Sequence, residues 1–562
     1  IKNNNSSGTY AVMKLVGGQE INLDNVEINF AGTGPTNYRK WLFHTDGHND
    51  FGESTWVLNE GTKVTINGSN LAMYTAQYHS GTGQNANIGF VNKGTITTAG
   101  SKNYLWMTMD DGGNSNRSMY FDNQGTISLG GTEDVFALLN AENQANGGFT
   151  FLNTGTLELT GASQKGLTFG REYPAAEIIL TKPMKLSGTK SAGIYFNKHI
   201  ELVGGKTRLA SSANNIVTTL PTTTRESVLK MELSGSENTG LYFNSNSTDQ
   251  FGVNNYALNS TDGTGNVLAY IQDGKVSLAA PGTGKANAIN ITGGSENIGI
   301  FTNVSMTSAA DITVTADKST GVFAKNAGTS TSTGKISATG ASVKALIADN
   351  STITSSGQVD VAGTASSDTD GAVGLVAMNN GTITQTGGGT ITVDGSASIG
   401  ALGQSGGTVD ITGGTIKATG GAFNTYAKGG TIKLNGTTVD TQQKSLAFFA
   451  DNAGHINFTG ATTANIAGGT DANTRGTAFY YQGNGYSPFG SSNISSWAAS
   501  TFGGTIGQLT LNMAQGSRLF IASDVAMNLS DTAGTGLASS LGAHISGSDY
   551  KTFMLYLSKL SL

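Results

Sequence analysis

Short runs in which apolar and polar residues alternate recur along the chain, and several of them follow one repeated phrase. The phrase is a large apolar residue, Asn, any residue, Gly and Thr. It occurs at 90–96, 121–127 and 151–157, and in a looser form at 58–64. The glycines of successive copies recur at a nearly constant spacing of about 30–33 residues. A period of two predicts β-strands, and self-similarity at a fixed spacing of this size predicts a stacked solenoid.

Towards the C-terminus the spacing shortens and three families of strands become visible. Gly-Thr-Ile-type strands recur at 351–353, 380–383, 406–409, 429–432 and 453–456, a spacing of roughly 23–30 residues. A second family has the form of Gly321-Val322-Phe323, and a third has the form of Ile391-Thr392-Val393. Three short strands in each period describe one coil of a parallel β-helix. We therefore predict an all-β chain folded as a right-handed parallel β-helix, with coils of about 23–33 residues and loop excursions.

In such a fold, equivalent residues of successive coils lie over one another. We expect two interior ladders, one of Ile96, Ile127 and Leu157 and one of Phe90, Phe121 and Phe151. Asn and Gly at the strand ends supply the positive φ angles that the corners between strands need. Helical periodicity is confined to short ambiguous runs such as 135–139.

Several stretches break the pattern and suggest how the chain is divided. The segment 31–56 holds Pro35, Trp41 and two histidines ahead of the first clear repeat. Segments 206–230 and 244–287 are rich in Ser, Thr and Asn, and the phrase Gly-Ser-Glu-Asn brackets the second of them. Because its two copies are separated by the length of about two coils, we expect the residues between them to leave the β-helix as an excursion.

These breaks predict five regions. They are an N-terminal cap and loop region at 1–56, β-helix with coils of about 30 residues at 57–205, β-helix with loop excursions at 206–287, regular β-helix at 288–475, and an aromatic-rich excursion with further coils at 476–562.

Composition narrows the possible functions. The 562 residues include 80 Gly, 6 Pro and no Cys, and only 12% are charged. The net charge is −6 and no run of Lys or Arg occurs, which argues against nucleic-acid binding. No apolar stretch approaches the roughly 18–20 residues of a membrane-spanning helix. Because the chain starts at Ile1 without a signal peptide, we expect a processed or excised piece of a longer protein.

Few residues point to catalysis or metal binding. The segment 44–50 holds two histidines and two aspartates, and the segment 110–114 is an acidic turn. Neither has the spacing of a known metal motif, and a polar loop is the favoured interpretation of both. A pair of carboxylates facing one groove would suit a glycan-degrading enzyme. The carboxylates that could supply one are Glu133, Asp134, Glu142, Glu172 and Glu177. We predict no enzyme activity, no cofactor and no metal.

Aromatic residues are the best candidates for binding, because aromatic rings bind sugars and dominate protein interfaces. Within the segment 479–497, we select Tyr480, Tyr481, Tyr486 and Trp497 as ligand-binding residues, while Phe479 and Phe489 could instead point inwards. A second, weaker group nearer the N-terminus consists of Trp41, Tyr104 and Trp106.

The Asn-x-Gly-Thr-Ile strands, the Cys-free Gly/Thr/Asn-rich coils and the tail at 554–558 resemble passenger domains of type V secreted adhesins. The resemblance is to the large fusobacterial autotransporters of the RadD-like group. It implies a monomeric β-helical passenger at the cell surface. In that group the passenger is exported through its own C-terminal outer-membrane β-barrel, which we expect to lie outside this chain. It also implies attachment to a protein or glycan on host cells or on other bacteria.

The sequence therefore favours a bacterial adhesin passenger that binds through loops on a long β-helical rod. Two alternatives remain open at this stage. One is a β-helix polysaccharide lyase or glycosidase, and the other is a stalk that binds nothing itself and belongs to a larger adhesin.

Overall fold

The computed structural model describes the greater part of the chain. The described residues are 11–16, 18–35, 40–47, 54–78, 87–110, 118–140, 149–170, 173–202, 227–363, 371–451, 453–471, 473–482, 506–523, 545–547 and 551–556. They form two compact units, residues 1–294 and 295–562. Strands dominate both units, and the one helical segment among the described residues is the short 3-10 turn Ile506–Gln508. Within the described residues, no helix is long and apolar enough to cross a membrane.

The first unit is a parallel β-helix in which each coil contributes a strand to each of three faces. The first face consists of Ala11–Val16, Lys40–Gly47, Leu71–Tyr78, Tyr104–Asp110, Val135–Asn140, Lys165–Phe169, Ala192–Phe196, Thr239–Asn244 and Val267–Asp273. The second consists of Glu20–Leu23, Ser54–Leu58, Asn87–Asn92, Ser118–Asn123, Phe149–Asn153, Tyr173–Leu180, Ile200–Leu202, Gln250–Val253 and Lys275–Leu278. The third consists of Glu27–Thr33, Lys63–Ser69, Thr95–Ser101, Thr126–Leu129, Thr156–Leu159, Met184–Leu186, Leu229–Leu233, Tyr256–Ser260 and Ala288–Ile291.

The second unit repeats the arrangement with shorter coils. Its first face consists of Ile298–Thr302, Thr320–Lys325, Lys344–Asp349, Val373–Met378, Ile399–Gln404, Phe423–Lys428, Leu446–Asp451, Thr477–Gln482, Arg518–Ser523 and Lys551–Tyr556. The second consists of Met306–Ser308, Thr329–Ser332, Thr352–Ser355, Thr382–Gln385, Thr408–Thr412, Thr431–Asn435 and His455–Phe458. The third consists of Asp311–Val314, Ile336–Thr339, Val359–Ala362, Thr390–Asp394, Thr415–Thr419, Thr438–Thr441, Thr462–Ile466, Leu509–Met513 and Ile545–Ser546. The predicted parallel β-helix is confirmed.

Both interior ladders form as the sequence predicts. Ile127 pairs in register with Ile96 on one side and Leu157 on the other, and all three are fully buried. The Phe121 ring lies 5.1 Å from the Phe90 ring and 6.2 Å from the Phe151 ring, between ring centroids. Because the strands alternate, every second side chain joins such a ladder and is removed from water.

The repeated phrase itself is explained by contacts between coils. The buried Asn123 amide accepts a hydrogen bond from Asn92 (2.8 Å) and donates one to Asn153 (2.7 Å). A Cβ atom at Gly125 would lie only 2.1 Å from the carbonyl oxygen of Gly94 in the preceding coil. The Asn of the phrase therefore forms an amide ladder, and its Gly permits the coils to stack closely.

A second recurring corner precedes the strands of the first face. One residue in each corner has a positive φ near 56–58°, as in Lys102, Glu133, Ser163, Lys190 and Glu237 of the first unit and Glu296, Lys318, Ser342 and Ala397 of the second. At several of these corners the next residue is buried and polar, and its side chain accepts a hydrogen bond from a backbone N–H of the preceding coil. Asn238 does this for Ser191 (2.9 Å), and Asn266 does it for Asn238 (2.9 Å). The bracketing Gly-Ser-Glu-Asn phrase is this corner, so its two copies mark coil positions.

Several predictions about breaks in the pattern are wrong. Segment 244–287 does not leave the β-helix, because the strand Gln250–Val253 pairs with Lys275–Leu278 and Tyr256–Ser260 pairs with the strands on either side of it. The region 1–56 holds coil strands from Ala11 onwards. Residues 135–139, for which the sequence pattern was ambiguous, lie in a strand. In the region 476–562, Thr477–Gln482 is also a coil strand. Residues 483–505 and most of 206–230 lie outside the described residues.

Replacing Ile127 by Asp is expected to destabilise the first unit by about 3–5 kcal/mol, because an unpaired carboxylate would replace a fully buried side chain in the ladder. Thermal unfolding followed by circular dichroism measures the effect. Thr126→Asp is the matched control, since Thr126 is the exposed neighbour on the same strand. Equal melting temperatures for the two variants would contradict the ladder assignment.

Candidate binding surface

The aromatic residues selected near the C-terminus are only partly described. Tyr480 is half-buried on the strand Thr477–Gln482, and its ring stacks on Phe449 with 4.6 Å between centroids. Tyr481 lies on the same strand, but its side chain lies outside the described part of the structure. Tyr486 and Trp497 lie outside the described residues altogether. Phe479 is 1% exposed and belongs to the interior.

The N-terminal aromatic group does not form one exposed surface. Trp106 is fully buried, with its ring 5.2 Å from Phe121 and 4.8 Å from Phe149, so it is a core residue and presents no face to a ligand. Tyr104 and Trp41 are half-buried on separate strands. The Trp41 ring stacks on His44, with 4.8 Å between centroids.

The polar segment around His44 is not the loop that the sequence suggests. His44 lies within the strand Lys40–Gly47, is 3% exposed, and its Nδ1 is 2.9 Å from the hydroxyl of Thr75. His48 and residues 111–114 of the acidic turn lie outside the described part of the chain. No group of three or more His, Cys, Asp or Glu side chains able to hold a metal ion occurs among the described residues.

The candidate carboxylates do not face a common groove where they are described. Glu133 is exposed, and its carboxylate lies 3.8 Å from the Lys102 ammonium. Its neighbour Asp134 is fully buried, and Glu177 is 2% exposed on the second face. Glu142 and Glu172 lie outside the described residues.

Asp134 occupies a corner position that carries an amide or a hydroxyl in several other coils. Its Oδ1 accepts a hydrogen bond from the backbone N–H of Asn103 (2.8 Å), whereas its buried Oδ2 has no partner among the described residues. Asn238, at the equivalent position, uses its Nδ2 to donate to the carbonyl oxygen of Gly188 (2.9 Å). Burial raises the pKa of Asp134 above its ordinary value, despite the hydrogen bond from Asn103.

The largest feature that the sequence did not reveal is an apolar row on the outside of the second unit. Successive strands of the first face place one outward side chain each in register, and we call these residues the outer stripe. They are Phe301, Phe323, Ile347, Val376, Leu402, Tyr426, Phe449, Tyr480 and Ile521. On the strand Thr320–Lys325, the residues on either side of Phe323 are Val322 and Ala324, both fully buried in the interior. Phe323 therefore points outwards.

The outer stripe packs into a hydrophobic cluster separate from the interior. Ile347, Val376 and Leu402 are 7%, 2% and 8% exposed, although they lie on the outer side of the strands. A second outward row flanks them and closes the cluster. It consists of Val373, Ile399, Phe423 and Leu446. Phe323, Met378, Ile399 and Tyr426 pack against the cluster and remain half-buried.

A mostly polar row borders the six stripe residues from Phe323 to Phe449 on their other side, one residue after the alanine or glycine that follows each of the six. We call it the rim, and it consists of Lys325, Asp349, Met378, Gln404, Lys428 and Asp451. Lys325 and Lys428 are exposed, and among the described residues neither lies within ion-pair distance of a carboxylate. An apolar centre with a polar border is the usual anatomy of a protein interface.

Ring geometry indicates what the stripe can contact. Tyr426 and Phe449 stack with 4.1 Å between centroids and 9° between planes, and Phe449 and Tyr480 stack at 4.6 Å and 8°. Their faces are covered by one another, so the edges point outwards. A sugar would need a free ring face, whereas an apolar protein surface can pack on edges. Burial, with repulsion from the nearby Asp451, raises the pKa of Tyr426 to about 12, so its phenol stays protonated.

The first unit carries a smaller aromatic row on its own first face. Tyr195, Tyr242 and Tyr270 stack with 4.8 and 4.9 Å between centroids. The Lys165 ammonium lies 4.9 Å from the Tyr195 ring centroid. Burial raises the pKa of Tyr242 to about 12. Hydroxyls and ring edges again form the outer surface.

A sequence signal for the stripe exists. The strands of the first face carry two adjacent apolar residues after a glycine or alanine, as in Val322-Phe323, Leu346-Ile347 and Leu375-Val376. In an alternating strand, the second residue of such a pair must point outwards.

No family model matches the chain, and no curated protein and no solved structure matches it either.

Replacing Asp134 by Asn is expected to raise the melting temperature near pH 7, and the gain should shrink as the pH is lowered towards about 4. The raised pKa means that the folded chain binds a proton more readily than the unfolded chain, so stability falls as the pH rises through this window. Asn keeps the acceptor and carries no charge. Melting curves at several pH values measure the gain.

The control is Glu133→Gln at the exposed neighbouring position, which should leave the pH dependence unchanged because exposed ion pairs contribute little. A gain for Asp134→Asn that is the same at every pH would contradict the role assigned to its burial.

Proposed function

We propose that this chain is a β-helical binding protein of the cell surface, an adhesin passenger that attaches bacteria to other bacteria or to host cells. The observation that carries the proposal is the outer stripe, with nine apolar side chains in register on the outside of one unit. Its central residues are buried within the chain, whereas Phe301, Phe323, Tyr426, Tyr480 and Ile521 stay half-buried. Half-exposed aromatic side chains are the residues that most often contribute to protein interfaces.

The chemistry of the stripe supports a macromolecular partner. A small-molecule site is concave and encloses its ligand, whereas the stripe runs across many strands of an outer sheet face. Its stacked rings expose edges, and its border carries separated charges of both signs, Lys325 and Asp349 among them. These features suit a broad contact with another protein surface.

The fold supports adhesion because the stripe residues lie on β-strands and not on loops. Each stripe residue is fixed by backbone hydrogen bonds to the coils on either side, so the surface is preorganised and little entropy is lost on binding. Many copies on one cell would multiply modest individual affinities. This proposal differs from the sequence-based hypothesis in one respect, since the contact surface is a sheet face and only Tyr480 is shared with the residues first selected.

The test is binding of the purified chain to bacterial and mammalian cells, comparing the parent with the double variant Phe323→Gln/Tyr426→Gln. Both side chains are half-buried on the outside, so the variant should remain folded. We expect binding to weaken at least about ten-fold, since losing two interface aromatics costs well over about 1.4 kcal/mol.

The matched control is Asp410→Gln/Lys433→Gln, which changes two outward positions on the second face of the same unit. It should bind as the parent does. If the stripe variant is folded by circular dichroism and binds cells as well as the parent, the stripe is not the binding surface and the proposal fails.

A further inference from the structure

We propose that Tyr195, Tyr242 and Tyr270 of the first unit, which we call the tyrosine row, form a site of oxidative cross-linking. A carbon–carbon bond would join the rings of Tyr242 and Tyr270 in successive coils. The substrate is the chain itself, and the co-reactant is a one-electron oxidant. The site is independent of the outer stripe, which lies in the second unit. Three observations carry the proposal, namely the register of the rings, their exposure and the hydrogen bonds that hold them together.

The backbone holds the three rings of the tyrosine row in register. Tyr195 pairs with Tyr242, and Tyr242 pairs with Tyr270, on three successive strands of the first face. The ring planes of the two pairs meet at only 13° and 14°. Hydrogen bonding between strands keeps the long axes of neighbouring rings about 4.8 Å apart. Turning both rings about their Cβ–Cγ bonds replaces the stack by an edge-to-edge contact. The ring carbons next to the C–O carbon then approach each other without a shift of the backbone.

The tyrosine row is accessible from outside. Its three side chains are half-buried on the outward side of the strands, whereas Leu241 and Phe243, on either side of Tyr242, are fully buried in the interior. Other tyrosines, such as Tyr74 and Tyr256, are buried. A dissolved oxidant can therefore reach the hydroxyls and ring edges of the row, while the interior rings are shielded from it.

Hydrogen bonds and charge favour the pair Tyr242 and Tyr270. The Tyr242 hydroxyl donates to the side-chain carbonyl of Gln272, which lies on the strand of Tyr270, so the Tyr242 ring is drawn towards that strand. The Tyr195 hydroxyl instead accepts a hydrogen bond from Asn244 (3.1 Å). The Lys165 ammonium also lies 4.9 Å from the Tyr195 ring centroid. A cation held against a ring face opposes the removal of an electron from that ring.

The reaction is an oxidative coupling of two phenols. The oxidant removes one electron from each phenol, and each phenol releases its hydroxyl proton to water. The two phenoxyl radicals then form one carbon–carbon bond between ring carbons next to the C–O carbons. Each of these carbons loses its hydrogen as a proton, and each oxygen regains a proton as the rings become aromatic again. The chain loses two hydrogen atoms in all, and two equivalents of the oxidant are reduced.

Such a bond would supply a cross-link that cysteine cannot supply in this chain. The sequence has no Cys, so no disulfide can join successive coils. A covalent link between two coils restricts the unfolded chain and thereby stabilises the folded one. The tyrosine cross-link would act as disulfides do in proteins of oxidising compartments.

The second unit offers a comparison within the same molecule. Tyr426 and Tyr480 lie in one outward row with Phe449 between them, and the three rings stack nearly parallel. The two tyrosines are two coils apart, so they cannot bond directly, and phenylalanine has no hydroxyl proton to lose. We therefore expect no cross-link in this row, although it is aromatic and stacked.

Photo-oxidation of the dilute purified chain with a ruthenium tris-bipyridyl complex and persulfate tests the proposal, because this mixture removes single electrons from tyrosines. We expect the intact mass to fall by two hydrogen atoms and dityrosine fluorescence to appear. Tandem mass spectrometry should find the peptides of Tyr242 and Tyr270 joined. The oxidised chain should keep the elution volume of the untreated chain on gel filtration and should melt at a higher temperature.

Variants that remove one hydroxyl keep the ring in place and should remain folded. Tyr242→Phe should abolish the dityrosine fluorescence and Tyr270→Phe should remove most of it, whereas Tyr195→Phe should leave it unchanged. In the second unit, Phe449→Tyr should add a second cross-link, to Tyr426 or Tyr480, because it places three phenols in register.

Four results would overturn the proposal. One is dityrosine that persists in Tyr242→Phe, and another is dityrosine that only joins separate chains. The third is a parent whose row stays unlinked while free tyrosine in the same solution is coupled. The fourth is a Phe449→Tyr variant that gains no cross-link, which would show that register and stacking do not define the site.

Discussion

The parallel hydrogen bonding of each coil onto the next is the constraint from which the rest of this structure follows. It sets a spacing of about 4.8 Å between equivalent backbone positions and leaves no freedom to offset them. Every side chain therefore lies beside the side chain at the equivalent position of the next coil. Each position must then hold a residue that can pack against another residue of the same type. Aliphatic groups, aromatic rings and amides do so, as the Ile96–Ile127–Leu157 and Asn92–Asn123–Asn153 ladders show.

The same constraint accounts for the unusual composition. A charged residue repeated along a ladder would repel itself at every coil, and only 12% of the residues are charged. Where charges do occur at the corners, neighbours alternate in sign. Lys102 lies against Glu133, and Lys190 lies against Glu237, 3.6 Å apart. Asp134 is a fully buried carboxyl, and burial raises its pKa.

Much of the fold could be predicted from the sequence, because the repeated phrase encodes contacts between coils. The Asn of the phrase, as at Asn123, forms the amide ladder, and its Gly, as at Gly125, permits close stacking of the coils. Both residues lie within one short segment of each coil, so the pattern is visible in the sequence. The strands between 250 and 278 were not predicted, because the repeated phrase is absent from this part of the chain. The alternating pattern continues there, and these strands pair without the amide ladder on the second face. Composition rich in Ser, Thr and Asn suggested loops, although backbone pairing decided the structure.

The binding surface was harder to predict than the fold. Single aromatic residues such as Trp106 stand out in a sequence, yet the alternation of the strand turns that ring inwards. The outer stripe depends on which side of each strand Phe323 or Ile347 occupies, and on side chains a whole coil apart in the chain lying in register. Counting aromatic residues in a window cannot detect either property, whereas aligning the coils by their interior ladders reveals both.

The amide ladder gives the β-helix a direction. Asn92 donates to Asn123 and Asn123 donates to Asn153, so each link points towards the C-terminus, and Asn153 ends the row by donating to the carbonyl oxygen of Lys182. A coil inserted between two coils of the row would have to bring its own Asn, because any other residue would leave a buried amide group without its partner. A coil added after Asn153 would carry no such requirement, so the row limits where the repeat can grow.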